Sequence, residues 1–134
     1  MERTSRCECG QLSITLRGDP ALVVLCACRN CQRRSGSAFY GAAWFEKSMV
    51  MSIQGESTVY RRSSDFEREI ERHFCPNCGS TVYAYVGVFP DRINVNWGGF
   101  EADDLDPDAV VFVRSLPSWL GLPEQLRRHE TQPF

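Results

Sequence analysis

Three cysteines stand within six residues, Cys26, Cys28 and Cys31, and Gln32-Arg33-Arg34-Ser35-Gly36 follows them at once. Two further pairs, Cys7 with Cys9 and Cys75 with Cys78, bring the total to seven. Thiolates are both nucleophiles and soft metal ligands, and thiols packed this closely are held either by disulfides or by an ion. The cysteine count is odd, and Met1 to Arg6 run into Cys7 without an apolar signal-peptide core. Both features point to a reducing, cytoplasmic setting and to zinc rather than a disulfide framework.

Cys75-Pro76-Asn77-Cys78-Gly79 is the most specific local signal. It reads as a zinc knuckle: proline sets the turn, backbone N–H groups can point back at the first sulfur, and glycine permits the positive φ by which the chain leaves. A structural zinc closes its shell with four protein ligands, whereas a catalytic zinc takes three and keeps a position open. Seven thiols divide as four plus three in two ways. Cys7, Cys9, Cys75 and Cys78 could close one site and leave Cys26, Cys28 and Cys31 as an open one. Alternatively, Cys28 and Cys31 could join Cys75 and Cys78 in a zinc-ribbon pattern, which strands Cys7, Cys9 and Cys26. Spacing alone leaves both partitions open.

An open three-thiolate zinc carries a net charge of about −1 and suits a soft incoming ligand, so a substrate thiol fits it better than a hydrolytic water. Coordination would deprotonate that thiol. Arg29, Arg33 and Arg34 follow closely enough in sequence to recognise an anionic group, and backbone N–H groups around Ser35-Gly36-Ser37 could orient it. These six are the candidate substrate-binding residues.

The elements that must position these groups read as strands. Leu12, Ile14 and Leu16 alternate with polar residues before the turn at Gly18-Asp19-Pro20. Cys7 and Cys9 are expected on an extended segment, sharing a face because strand side chains alternate; Cys26 and Cys28 repeat that spacing after the apolar run Ala21 to Leu25. Residues 29–37 could hold a turn or two of helix. Strand patterns then recur at Phe39–Phe45, Met49–Gln54, Thr58–Arg62, Glu67–Phe74, Ser80–Val86, Arg92–Trp97 and Ala109–Val113, with a turn at Ser63-Ser64-Asp65. Arg61, Arg62, Arg68 and Arg72 interleave with Asp65, Glu67, Glu69 and Glu71 as the solvated faces of a hairpin. His73 reads as a hydrogen-bonded hairpin histidine outside any metal shell. The acidic stretch Glu101 to Asp108 is expected to be a surface loop, and Trp119, Leu120 and Leu122 of the Pro-rich tail (Pro117, Pro123, Pro133) are expected to dock on the body.

The composition sets limits around this reading. The 134 residues fit one domain, 1–134, with the 43% hydrophobic and 24% charged content of an ordinary globular protein. No apolar run approaches the roughly 18 residues of a spanning helix, so no membrane is implied. A formal net charge of −2 is a poor footprint for tracking a phosphate backbone, which argues against a nucleic-acid partner.

Three blocks carry a resemblance: Cys7-Glu8-Cys9-Gly10, then Cys26-Ala27-Cys28-Arg29-Asn30-Cys31-Gln32-Arg33-Arg34-Ser35-Gly36, then Arg72-His73-Phe74-Cys75-Pro76-Asn77-Cys78-Gly79. In order and separation they resemble the glutathione-dependent formaldehyde-activating enzyme family, whose domain also occurs in centromere protein V; the late Phe112-Val113 and Trp119 segment fits as well. The resemblance implies an all-β fold of the β-tent type, built from stacked antiparallel sheets stapled by zinc. It implies two Zn2+ per chain, a structural one on Cys7, Cys9, Cys75 and Cys78 and a catalytic one on Cys26, Cys28 and Cys31. It further implies carbon–sulfur lyase chemistry on a thiol–aldehyde adduct, glutathione with formaldehyde being the pair. Ala27 and Val111 depart from the family, standing where histidines are common. The rival readings are a zinc-stabilised binding module and a thiol or metal sensor without catalysis.

Overall fold

In a computed structural model of the chain, residues 1–63, 68–101 and 104–132 are described. The turn expected at Ser63-Ser64-Asp65, together with Glu67, Ala102, Asp103 and Pro133, falls wholly or partly outside them. The order of elements is β1 (Glu2–Arg6), β2 (Ser13–Arg17), β3 (Leu22–Cys26), α1 (Arg29–Ser35), β4 (Tyr40–Glu46), β5 (Val50–Gln54), β6 (Thr58–Ser63), β7 (Glu69–Phe74), β8 (Thr81–Val86), β9 (Arg92–Asn96), β10 (Ala109–Val111) and β11 (Arg127–His129). The protein is mostly β. No helix among the described residues is long and apolar enough to cross a membrane.

Two sheets form. The smaller has the order β1-β2-β5, and the larger runs β11-β10-β3-β4-β9-β8-β7-β6. Most pairs are antiparallel, as expected, but β10 lies parallel to both β3 and β11. Its three residues, Ala109, Val110 and Val111, are all buried, as an inner parallel strand requires.

The large sheet carries apolar side chains on both faces. One face presents Val23, Ala43, Phe45, Ile93 and Val95 to Ile14 and Leu16 of the small sheet, and this is the main core. Each valine, leucine, isoleucine or phenylalanine among them contributes roughly 1.5–3 kcal/mol on burial. The opposite face carries Val24 and Trp44 in a smaller apolar cluster with Val111 and Phe89. Trp44 and Phe89 meet edge to face with centroids 5.1 Å apart.

Two strands escape the sequence pattern. β1 turns Arg3 and Ser5 inward, so its buried face is polar and offers no apolar alternation. Arg3 is satisfied by Asp104 at 2.7 Å, Asp19 at 2.8 Å and the Gly18 carbonyl at 3.4 Å, while Ser5 donates to the Asn96 carbonyl. β11 is a polar edge strand brought in by Leu126, which is buried beside Leu25 and Val110. The tail therefore docks through Leu122 and Leu126, whereas Trp119 is 77% exposed. The acidic stretch is likewise less superficial than expected: Leu105 enters the main core, and Asp108 accepts from the Val23 N–H at 2.8 Å.

The Arg3 hydrogen bond holds the Asp104 carboxyl below its ordinary value. A carboxyl depressed in the folded state stabilises the fold above its unfolded value, and that contribution is lost as pH falls through the folded value. Asp104→Asn is thus expected to lower the unfolding temperature at neutral pH and to match the wild type in strong acid. Thermal unfolding at the two pH values checks this; an equal deficit at both would contradict it.

Candidate metal centres and the adjoining cavity

The seven thiols fall into two groups. Cys7, Cys9, Cys75 and Cys78 form one, and Cys26, Cys28 and Cys31 the other, with the sulfurs in each within 4.8 Å of one another. This is the four-plus-three partition; the zinc-ribbon alternative does not form.

The four-thiol group joins two turns. Cys7 and Cys9 do not lie on an extended segment as expected: the chain turns directly after β1, with the Gly10 N–H on the Cys7 carbonyl at 3.1 Å. The knuckle after β7 closes in the same way, with the Gly79 N–H on the Cys75 carbonyl at 2.8 Å. Gly10 and Gly79 take φ of 82° and 81°, the left-handed region that a side chain disfavours. Backbone N–H groups of Leu12 and Asn77 donate to Cys7 Sγ and Cys75 Sγ at 3.3 and 3.4 Å, and Gln11 Nε2 donates to Cys75 Sγ at 3.2 Å.

These contacts favour thiolates. The Ser80 hydroxyl and the Cys9 backbone bring Cys78 down to about 5. Against burial, the Cys78 and Asn77 backbone and Gln11 hold Cys75 below its ordinary value. Cys9 behaves oppositely: although the Gln11 backbone favours its thiolate, burial and hydrogen bonds to the other thiols push it up to about 12. Four thiols sharing one site cannot all ionise without a cation. Cys9 Sγ lies 3.7 Å from Cys7 Sγ and 3.6 Å from Cys75 Sγ. A tetrahedral zinc with Zn–S bonds of about 2.3 Å has S–S edges of about 3.8 Å, so both donor set and spacing fit a closed site.

The three-thiol group sits where β3 passes into α1. Alternation holds across this junction, as expected. Ala27 turns away from the thiols into full burial and donates its N–H to the Val111 carbonyl, while Cys26 and Cys28 stay half-buried. Cys28 caps α1, accepting from the Cys31 N–H at 3.4 Å, and Gly36 ends the helix in the left-handed conformation. Hydrogen bonds from Cys26 and Cys31 draw Cys28 down to about 2, while the same contact with Cys28 drives Cys26 upward. This trio also fits a soft cation, and its ligands leave one side uncovered.

That side opens on a cavity of about 150 Å3, into which Cys26 and Cys31 project on the face of the large sheet away from the main core. Phe112 closes part of its wall with φ 58°, the one positive-φ non-glycine among the described residues, a conformation that costs about 1–2 kcal/mol. Of the six candidate substrate-binding residues, Arg34 alone reaches this cavity, its guanidinium 3.5 Å above the Tyr40 ring. Burial keeps the Tyr40 phenol protonated by raising its pKa. Arg29, Gly36 and Ser37 line a separate groove beside Trp119. Arg33 is exposed, and Ser35 Oγ donates to the Cys31 carbonyl at 2.7 Å as part of the helix end.

Other cavity residues were hidden in the hairpin. The expected solvated face is real for Arg61, which pairs with Glu71 at 3.1 Å, but Arg62 and Arg72 turn to the cavity. Their alternation with Arg61 and Glu71 was the available signal; it shows a shared face without showing what covers it. His73 is hydrogen-bonded as expected, to Ser57 and Glu71 at 2.8 Å each, and stacks on Tyr83. Val111, one of the two departures from the family pattern, lines the cavity, whereas Ala27 does not.

A sequence pattern described as glutathione-dependent formaldehyde-activating enzyme matches residues 2–115. The chain belongs to that family. A search of curated protein sequences gives no significant match to this member. The family member's fold is similar to the crystal structure of a Rhodobacter sphaeroides protein, with a TM-score of 0.58 and 22% identity over 78% of this chain and 91% of that one.

A metal held by four thiolates that tie Cys7 to Cys75 would be part of the fold. Chelation, or Cys75→Ser, is expected to lower the unfolding temperature by on the order of tens of degrees. Calorimetry with and without chelator is the check. An unchanged transition would show that the core holds the two turns together without metal.

Proposed function

We propose that this family member is a zinc-dependent carbon–sulfur lyase that acts on a thiol–aldehyde adduct, with glutathione and formaldehyde as the leading pair. The observation that carries this reading is the contrast between the two thiol groups. One is completed by a fourth thiol where two turns meet, and the other, with three thiols, borders a cavity lined by arginines.

The reaction is balanced without a further reactant. In the forward direction the adduct's carbon–sulfur bond breaks, its hydroxyl proton is transferred to sulfur, and thiol and aldehyde are released; the reverse step forms that bond. Zinc held by Cys26, Cys28 and Cys31 would supply Lewis acidity and an open position that favours thiolate over thiol. The chain's own residues supply the surroundings. Arg34, stacked on Tyr40, offers a fixed guanidinium beside Cys31, and apolar side chains such as Val24 and Val111, which neighbour Cys26, exclude water from the reacting carbon. Tyr40 Oη keeps its proton, which makes it a hydrogen-bond donor and not a base. Cytoplasmic reducing conditions would keep both thiol groups available to metal.

Cys31→Ser tests the reading, because Cys31 lies outside the four-thiol group. The variant is expected to fold, to lose about half of its zinc and to lose turnover of S-hydroxymethylglutathione. Elemental analysis with a coupled formaldehyde-release assay provides both measurements, and full turnover would sink the proposal.

A further inference from the structure

Strand register draws a line of side chains across the cavity face of the large sheet. Tyr60 pairs with Arg72, Arg72 with Ala84, Ala84 with Asn94, and Asn94 with Trp44. Partners in register share a face. Asn94 is the polar residue between Ala84 and Trp44, is only 8% exposed, and lines the cavity. Its Oδ1 is buried with no hydrogen-bond partner among the described residues. A dry, unpaired amide oxygen destabilises a fold, and most buried polar atoms avoid that state. An apolar side chain of similar size would suit the position better if packing were its only task.

The arginines nearby are also uncommitted. Arg34 lies over Tyr40, Arg72 lies 4.7 Å above Tyr60, and Arg62 donates to the Ser63 carbonyl at 3.1 Å. Among the described residues none of the three has a carboxylate partner, although Arg61, next in sequence to Arg62, has one in Glu71. Burial, together with the charges of Arg34 and Arg62, holds Arg72 below its ordinary value. Three like charges around one cavity repel one another until an anion enters.

Asn94 and the thiols stand at opposite ends. Asn94 pairs with Trp44, whereas Cys26 pairs with Tyr40, four residues away on β4 and one strand further across. Strand spacings put the two backbones roughly 15 Å apart. A ligand that reaches from one to the other is extended, and Arg34, Arg62 and Arg72 line the same cavity.

We propose that Asn94, with Arg34, Arg62 and Arg72, forms a specificity subsite for an extended, anionic, peptide-type thiol adduct. Guanidiniums take its carboxylate, and Asn94 Oδ1 accepts from one of its N–H groups. This deepens the lyase reading and rests on it for the position of the sulfur. Asn94 is a positioning residue in this scheme, since it touches the ligand far from the reacting carbon.

Binding of S-methylglutathione, which has no free thiol, and of its diethyl ester to the zinc-loaded full chain tests the subsite by calorimetry. The acid is expected to bind about tenfold or more tightly than the ester, and Arg62→Ala and Arg72→Ala to bring that ratio close to one. Asn94→Leu is expected to weaken binding of both ligands several-fold while raising the unfolding temperature, an outcome that a packing role would reverse. Asn94→Asp, which preserves shape, is expected to weaken the acid more than the ester. Equal binding of acid and ester by the wild type, or no binding of either, overturns the proposal. So does an Asn94→Leu protein that is less stable with unchanged affinity. Absent lyase turnover with these binding results intact refutes the lyase reading and leaves the subsite standing.

Discussion

The meeting of four thiols from two distant turns is the constraint around which the rest of the structure is arranged. Cys9 and Cys75 are 66 residues apart in sequence, yet their sulfurs lie 3.6 Å apart. A contact of that range carries a loop-closure cost, and four sulfurs in one place repel as they ionise. A cation shared by the thiolates would remove the repulsion and reward the closure. The meeting point follows from the fold: one turn leaves the small sheet after β1, the other leaves the large sheet after β7, and both Cys7 and Cys75 are part of the main core.

Joining the sheets at that point commits one face of the large sheet to the small sheet and frees the other. The freed face carries the cavity, with Cys26 and Cys31 in its wall. Two chemically similar thiol groups therefore acquire different surroundings. A shell of four protein ligands suits a metal that stabilises, while three ligands beside a cavity suit one that reacts. Phe112, with its positive φ, and the Asn94 oxygen, without a hydrogen-bond partner among the described residues, both lie along this cavity, so two locally unfavourable features border the candidate site.

Local chemistry was readable wherever a short motif was enough to specify geometry. The knuckle Cys75-Pro76-Asn77-Cys78-Gly79 closes as its residues imply, and the strands with clear apolar alternation are present. Cys7-Glu8-Cys9-Gly10 was misread as extended because spacing alone does not distinguish a strand from a turn; the hydrogen bond from Gly10 to the Cys7 carbonyl decides it. β1 and β11 were missed because their stability comes from distant partners, Asp19 and Asp104 for Arg3 and the parallel neighbour β10 for β11.

By itself, then, the sequence determined that the chain is built from strands, that its thiols suit metal, and which family pattern it carries, because each of these depends on residue type and near-neighbour spacing. Tertiary structure alone decided which thiols meet, and that Arg62, Arg72 and Asn94 face a cavity in place of solvent. The physical reason is the two-residue period of a strand. Alternation states that Arg62 and Arg72 differ in direction from Arg61 and Glu71, and that Asn94 opposes Ile93 and Val95, but it is silent on what lies above either face. That is settled only when β6, β7 and β9 take their places in the large sheet and its second face is left partly uncovered.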